Sequence, residues 1–111
     1  MKAVVYYNAI MAGTLERLPN LYRFQYNSDY LMVSHLPSIS LTLPKQSGPF
    51  ESKTLFPFFF GLLAEGVNKA TQCRELKIDE NDHFTRLIKT LDEDAVGAIT
   101  IKLLADESAF S

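Results

Sequence analysis

The sequence predicts an α+β domain: an N-terminal antiparallel β-meander, two helices and a C-terminal strand that returns to the sheet. Three observations lead there. Apolar and polar residues alternate in the first half, as in Tyr22-Arg23-Phe24-Gln25-Tyr26, the period of a strand with one buried face. In the second half Phe84, Leu87, Ile88 and Leu91 stand at i, i+3, i+4 and i+7, the period of a helix. A last apolar alternation, Ile99, Ile101 and Leu103, follows the helices, so its strand must come back to a sheet built earlier.

Taken in order, residues 2–7 are rich in β-branched and aromatic types and read as the opening strand, with a turn near Asn8 and a second start at Gly13. Pro19-Asn20 signals the next turn, and residues 22–26 form a strand with aromatics inward and Arg23 and Gln25 outward. Asn27-Ser28-Asp29 breaks it. Residues 30–33 suit a helical turn or an extended piece equally well. Ile39-Ser40-Leu41-Thr42-Leu43 alternates again and reads as a strand that stops at Pro44. Residues 45–52, with Gly48-Pro49, read as a linker.

After that the period changes. Residues 56–64 are an apolar run, and Val67, Ala70, Cys73 and Leu76 predict the inner face of a helix starting near Gly66 or Asn68. Asp79, Asn81 and Asp82 are candidate N-caps for the second helix. Residues 96–103 form the last strand, with Ile99, Ile101 and Leu103 on one face. Residues 1–105 are expected to be one domain and 106–111 a flexible tail.

Composition fits one core. The chain has 111 residues, 47% apolar and 22% charged, with net charge −2. By size scaling, folding buries roughly two-thirds of the extended chain's surface, enough for one core but not for a whole kinase or dinucleotide enzyme. The longest apolar run is about half a bilayer span, and the N-terminus passes directly from one lysine into strand-like sequence, so neither membrane nor secretion is expected. The single cysteine, Cys73, has no partner for a disulfide, and the cytoplasm is the expected location. The balance of 11 basic and 13 acidic residues gives no footprint for nucleic acid.

Motifs for chemistry are lacking. The five glycines make neither GxGxxG nor a P-loop, so no cofactor is implied. His35 and His83 have no second ligand at metal spacing and read as ordinary surface or loop histidines. No GxSxG surrounds a serine, and Cys73, on an inner helix face, reads as a buried inert thiol. Asp92-Glu93-Asp94 reads as a solvated corner after a helix.

One stretch stands out: Phe56-Pro57-Phe58-Phe59-Phe60-Gly61-Leu62-Leu63-Ala64-Glu65-Gly66. Four phenylalanines and two leucines within eight residues exceed what a narrow helical stripe in so small a domain buries. Either the run wraps a concave sheet and is all core, or part of it faces a partner; chemistry alone leaves both open.

Five segments, in order, carry a resemblance: Gly13-Thr14-Leu15; Tyr22-Arg23-Phe24-Gln25-Tyr26 with Asp29-Tyr30-Leu31; Ile39-Ser40-Leu41-Thr42-Leu43-Pro44; Phe58-Phe59-Phe60-Gly61-Leu62-Leu63-Ala64-Glu65-Gly66; and Asp94-Ala95-Val96-Gly97-Ala98-Ile99. Together they resemble the N-terminal subdomain of HipA-type toxin kinases, with its F-x-Y strand, LSxSLP strand, FFxxLLPEG segment and D-x-x-GA strand. The resemblance covers residues 1–104. Ala64 stands where the family has proline, which loosens the loop before Glu65-Gly66. Asp92 stands where the family has glycine after the helix, a position aspartate tolerates.

In that family the catalytic loop, metal-binding aspartate and phosphate-binding loop lie later in a longer chain, with no counterpart in these 111 residues, so the resemblance implies a domain without catalysis of its own. A free-standing copy resembles the small antitoxin of tripartite HipBST toxin–antitoxin modules. Its implied partners are a separately encoded HipT-type serine/threonine kinase, which it binds and suppresses, and a HipB-type helix-turn-helix DNA-binding protein in a ternary complex. Neither direct nucleic-acid nor membrane contact is expected.

The expected partner-binding edge comprises Phe59, Phe60, Leu63, Ala64, Glu65, Gly66 and Val67. Between Phe59 and Phe60, the period suggests that one faces the core and the other the partner, without saying which. Residues 64–67 are expected to reach toward the kinase cleft, because glycine permits close approach and Glu65 can engage a basic group. Glu65 serves equally as a helix-start carboxylate. Two alternatives share this edge: a regulatory subunit that completes or activates the kinase, and a generic interaction module. A stand-alone small-molecule enzyme would need converging polar groups that the sequence lacks.

Overall fold

The opening strand folds back through a two-residue turn. β1 (Lys2–Tyr7) and β2 (Ile10–Arg17) pair antiparallel, and Asn8 and Ala9 between them both have positive φ, 49° and 67°. That backbone matches the twist of a tight hairpin, and it lets β2 begin three residues before the expected Gly13. The computed structural model describes residues 1–63, 66–91 and 98–104, with backbone alone at 66–69 and 72.

β3 (Tyr22–Tyr26) adds to β2, β4 (Phe50–Ser52) to β3 and β5 (Ile99–Leu103) to β1, all antiparallel. The strand order is β4-β3-β2-β1-β5, so the last strand does return, to lie beside the first. Register puts Ala3, Leu15, Phe24 and Phe50 in one row across the sheet, and Ile101, Val5, Gly13 and Tyr26 in the next. These rows face the core. The opposite face carries the row Lys2, Glu16, Arg23 and Glu51, where Arg23 Nε and Nη2 donate to Glu51 Oε2 at 2.9 and 2.8 Å.

Two expectations fail between β3 and β4. Residues 39–43 are not a strand: Leu43 N–H returns to Ser40 O at 3.1 Å, Thr42 N–H donates to Ser40 Oγ at 3.2 Å, and the two hydroxyls lie 2.9 Å apart. Local side-chain bonds outcompete a ladder, leaving Ile39 and Leu43 buried and Leu41 fully exposed at the tip. The fourth strand lies instead at the end of residues 45–52, expected to be a linker. Phe50 supplies the inward apolar contact, stacking 6.5 Å from Phe24.

The intervening loop is tied down by polar groups. Tyr26 Oη accepts from Ile39 N–H at 3.0 Å and donates to Leu43 O, and Tyr30 Oη donates to Pro37 O at 2.6 Å. Lys45 Nζ donates to Val33 O and Leu36 O, both at 2.9 Å. Tyr30 belongs to α1 (Ser28–Met32), so the ambiguous residues after β3 resolve as helical.

Three helical segments follow: α2 (Pro57–Phe60), α3 (Gly66–Leu76) and α4 (His83–Thr90). Proline at the first position of α2 needs no hydrogen-bond partner there and preorganises its one turn. The expected inner face of α3 holds only in part. Cys73 is buried, but Ala70 and Leu76 are exposed, and the Val67 side chain lies outside the described residues. α3 closes with Lys77 at φ 58° and Ile78 N–H donating to Cys73 O at 2.8 Å, which satisfies a terminal carbonyl.

α4 forms where expected, and Asp82 is its cap. It buries Phe84 and Leu87 and ends on buried Leu91. In β5, Ile99 and Ile101 are buried but Leu103 is about half exposed at the sheet's end. Residues 92–97, with the acidic cluster, Val96 and Gly97, and the tail from 105 lie outside the described residues.

Candidate partner-docking site

α2 is a single turn with phenylalanines at its last three positions, so it must send neighbouring rings in different directions. Phe59 points into the sheet: it is fully buried, with its ring centroid 5.7 Å from Phe24, 6.2 Å from Phe56 and 5.2 Å from Phe58. Phe60 points the other way and keeps 39% of its surface. Its ring meets the His83 imidazole edge-on, with centroids 5.0 Å apart and planes at 80°.

This geometry divides the seven expected residues. Phe59 and Leu63 are core residues: the sheet offers Phe59 a complete apolar enclosure, so of the two phenylalanines it is the one that faces inward, and Leu63 retains 6% exposure. Phe60 is exposed. Gly66 and Val67 open α3 and are described in backbone only, while Ala64 and Glu65 lie outside the described residues.

His83 joins this edge, although the sequence offered it only as a loop or surface histidine. It is the first residue of α4, held through the Asp82 cap, whose carboxylate accepts from Thr85 N–H at 3.1 Å, Thr85 Oγ1 at 2.8 Å and Arg17 Nη1 at 3.1 Å. Burial acts to raise the Asp82 carboxyl, but the Thr85 bonds and the Arg17 charge outweigh it and hold it below its ordinary value. Behind His83, Arg86 is 1% exposed, with Nη1 3.2 Å from His83 Nδ1 and 3.4 Å from Glu80 O. An arginine only donates, so Nδ1 is the acceptor in this contact. No sequence spacing signals the Phe60–His83 pairing, because it arises from where α2 and α4 meet.

Among the described residues no group of three or more His, Cys, Asp or Glu could hold a metal ion. No described helix is long and apolar enough to cross a membrane. The exposed edge can offer apolar and aromatic contact to another molecule; among its described residues it gathers no nucleophile and base.

The model of the HipA N-terminal domain family matches residues 3–102. The chain belongs to that family. The HipA N-terminal domain is a non-catalytic part of a toxin, and membership gives the chain a role related to toxin–antitoxin systems. A solved structure described as the N-terminal domain of HipA toxin superposes with a TM-score of 0.67, at 27% identity, covering 92% of each chain. An uncharacterised protein of Haemophilus influenzae Rd is 37% identical over 81 residues, 73% of this chain and 72% of that one. The HipA N-terminal domain fold thus accounts for the five-stranded sheet and its helical face together.

Proposed function

We propose that the chain is a HipS-like antitoxin: a non-enzymatic cytoplasmic protein that binds a separately encoded HipT-type serine/threonine kinase and inhibits it. The observation that supports this reading is the family match from residue 3 to 102, which assigns nearly the whole chain to the HipA N-terminal domain, a non-catalytic part of a toxin. Phe60 is the exposed ring of the proposed docking edge; residues 64–67 are proposed to take part in it, while Phe59 and Leu63 are core residues. A large ring held half out of water on a rigid element suits the anchoring role that aromatics take in interfaces. In a ternary complex a HipB-type helix-turn-helix protein supplies DNA binding, consistent with this chain's net charge of −2.

The test is co-purification and kinase assay with a HipT-type kinase. Wild-type protein binds and suppresses phosphorylation; Phe60→Asp and Val67→Asp each abolish binding while circular dichroism of the isolated variants is unchanged. Stimulation of the kinase would replace the antitoxin reading with that of an activating subunit. Unchanged binding by both variants would remove the docking edge.

A further inference from the structure

We infer that His83 is a positioning residue for docking: it holds the Phe60 ring in the orientation that a partner protein meets. The inference rests on the docking role proposed for Phe60 and adds a residue from a different element, α4, to that site.

Phe60 is the last residue of a one-turn helix and is 39% exposed. A ring so placed has freedom to change rotamer, and freezing it on binding costs conformational entropy. The edge-on contact with His83, at 5.0 Å and 80°, opposes that motion before a partner arrives. His83 is itself fixed at both ends. Its backbone follows the Asp82 cap, which Arg17 ties to the end of β2 at 3.1 Å, and its ring accepts from Arg86, a side chain 1% exposed. Orientation is therefore relayed from sheet and core through His83 to the exposed ring. His83 acts through Phe60 and needs no contact of its own with the partner.

Affinity for a HipT-type kinase is measured for wild type, His83→Ala, Phe60→Ala and the double variant, with thermal melting of each confirming the fold. His83→Ala is expected to weaken binding about tenfold, and the double variant to bind no more weakly than Phe60→Ala, because removing the ring removes what His83 positions. His83→Phe, which keeps an aromatic edge, restores binding to within about threefold, whereas His83→Gln, which keeps only an acceptor for Arg86, does not. Wild-type affinity of His83→Ala, independent losses in the double variant, or rescue by His83→Gln would each overturn the inference while leaving Phe60 as an anchor. Wild-type affinity of Phe60→Ala would instead remove the docking reading, and the inference with it.

Discussion

Arg17, the last residue of β2, places Nη1 3.1 Å from Oδ1 of Asp82, the residue that caps α4. One carboxylate thus joins the sheet to the helix that carries His83. Asp82→Ala removes the cap and this tie together, and its expected cost is about 1–2 kcal/mol in denaturant unfolding.

The same carboxylate sets an acid dependence. A folded pKa below the ordinary 3.8 gives stability that is complete above 3.8 and is lost as pH falls through the lower folded value. Below pH 3.8 the wild-type stability curve should therefore fall more steeply than that of Asp82→Asn; parallel curves would show that Asp82 does not contribute.

Tyr26→Phe keeps the ring but strips the hydroxyl that serves Ile39 N–H and Leu43 O, leaving two buried backbone groups without it. The expected loss is about 1–3 kcal/mol. Burial raises the Tyr26 hydroxyl above its ordinary 10.0, despite the opposing Ile39 bond. That contribution is present below pH 10.0 and disappears as pH rises through the raised value, so wild type should lose stability on the alkaline side faster than Tyr26→Phe. Equal alkaline limbs would contradict it.

Gly13 sits where β2 and β3 approach too closely for any side chain. An added Cβ would stand 2.3 Å from Gln25 O and 3.0 Å from Tyr26 Cα, both backbone atoms that yield only if the strands part. Gly13→Ala should cost about 2 kcal/mol and weaken amide-exchange protection across β2 and β3. A variant as stable as wild type would mean the strands separate freely.

The turn at residues 39–43 is tested by contrast. Ile39→Ala should cost about 2–5 kcal/mol, because the side chain is buried, while Leu41→Ala, fully exposed, should stay within about 0.5 kcal/mol. On a strand with one buried face the two would cost alike, and equal losses would restore that reading.

This turn also marks where sequence reading stops. The meander, α4 and the returning strand were legible because periodicity reports a buried face directly, as Phe24, Tyr26, Phe84 and Leu87 all show. Ile39, Leu41 and Leu43 alternate just as well, yet Ser40 and Thr42 bond locally, and period alone does not weigh that competition. β4 was hidden because three residues beside Gly48-Pro49 are too few to show a period; Phe50 becomes strand by pairing with Phe24. At the candidate edge, the Phe56–Phe60 richness is visible in the sequence, but the assignment of Phe59 to the core and Phe60 to the surface needs the sheet in place. Nothing in the sequence around His83 signals its role, since its partner Phe60 comes from another element.

The outermost strand carries a consequence for the protein on its own. Ile101, in the middle of β5, gives its N–H to Leu91 O at 2.7 Å, at the end of α4. An open strand edge is a template on which another chain can zip, copy upon copy. Here the central donor is already spent on the helix, so a newcomer finds the zip jammed halfway. Among the described residues, pairing of copies along β5 is therefore interrupted at its midpoint.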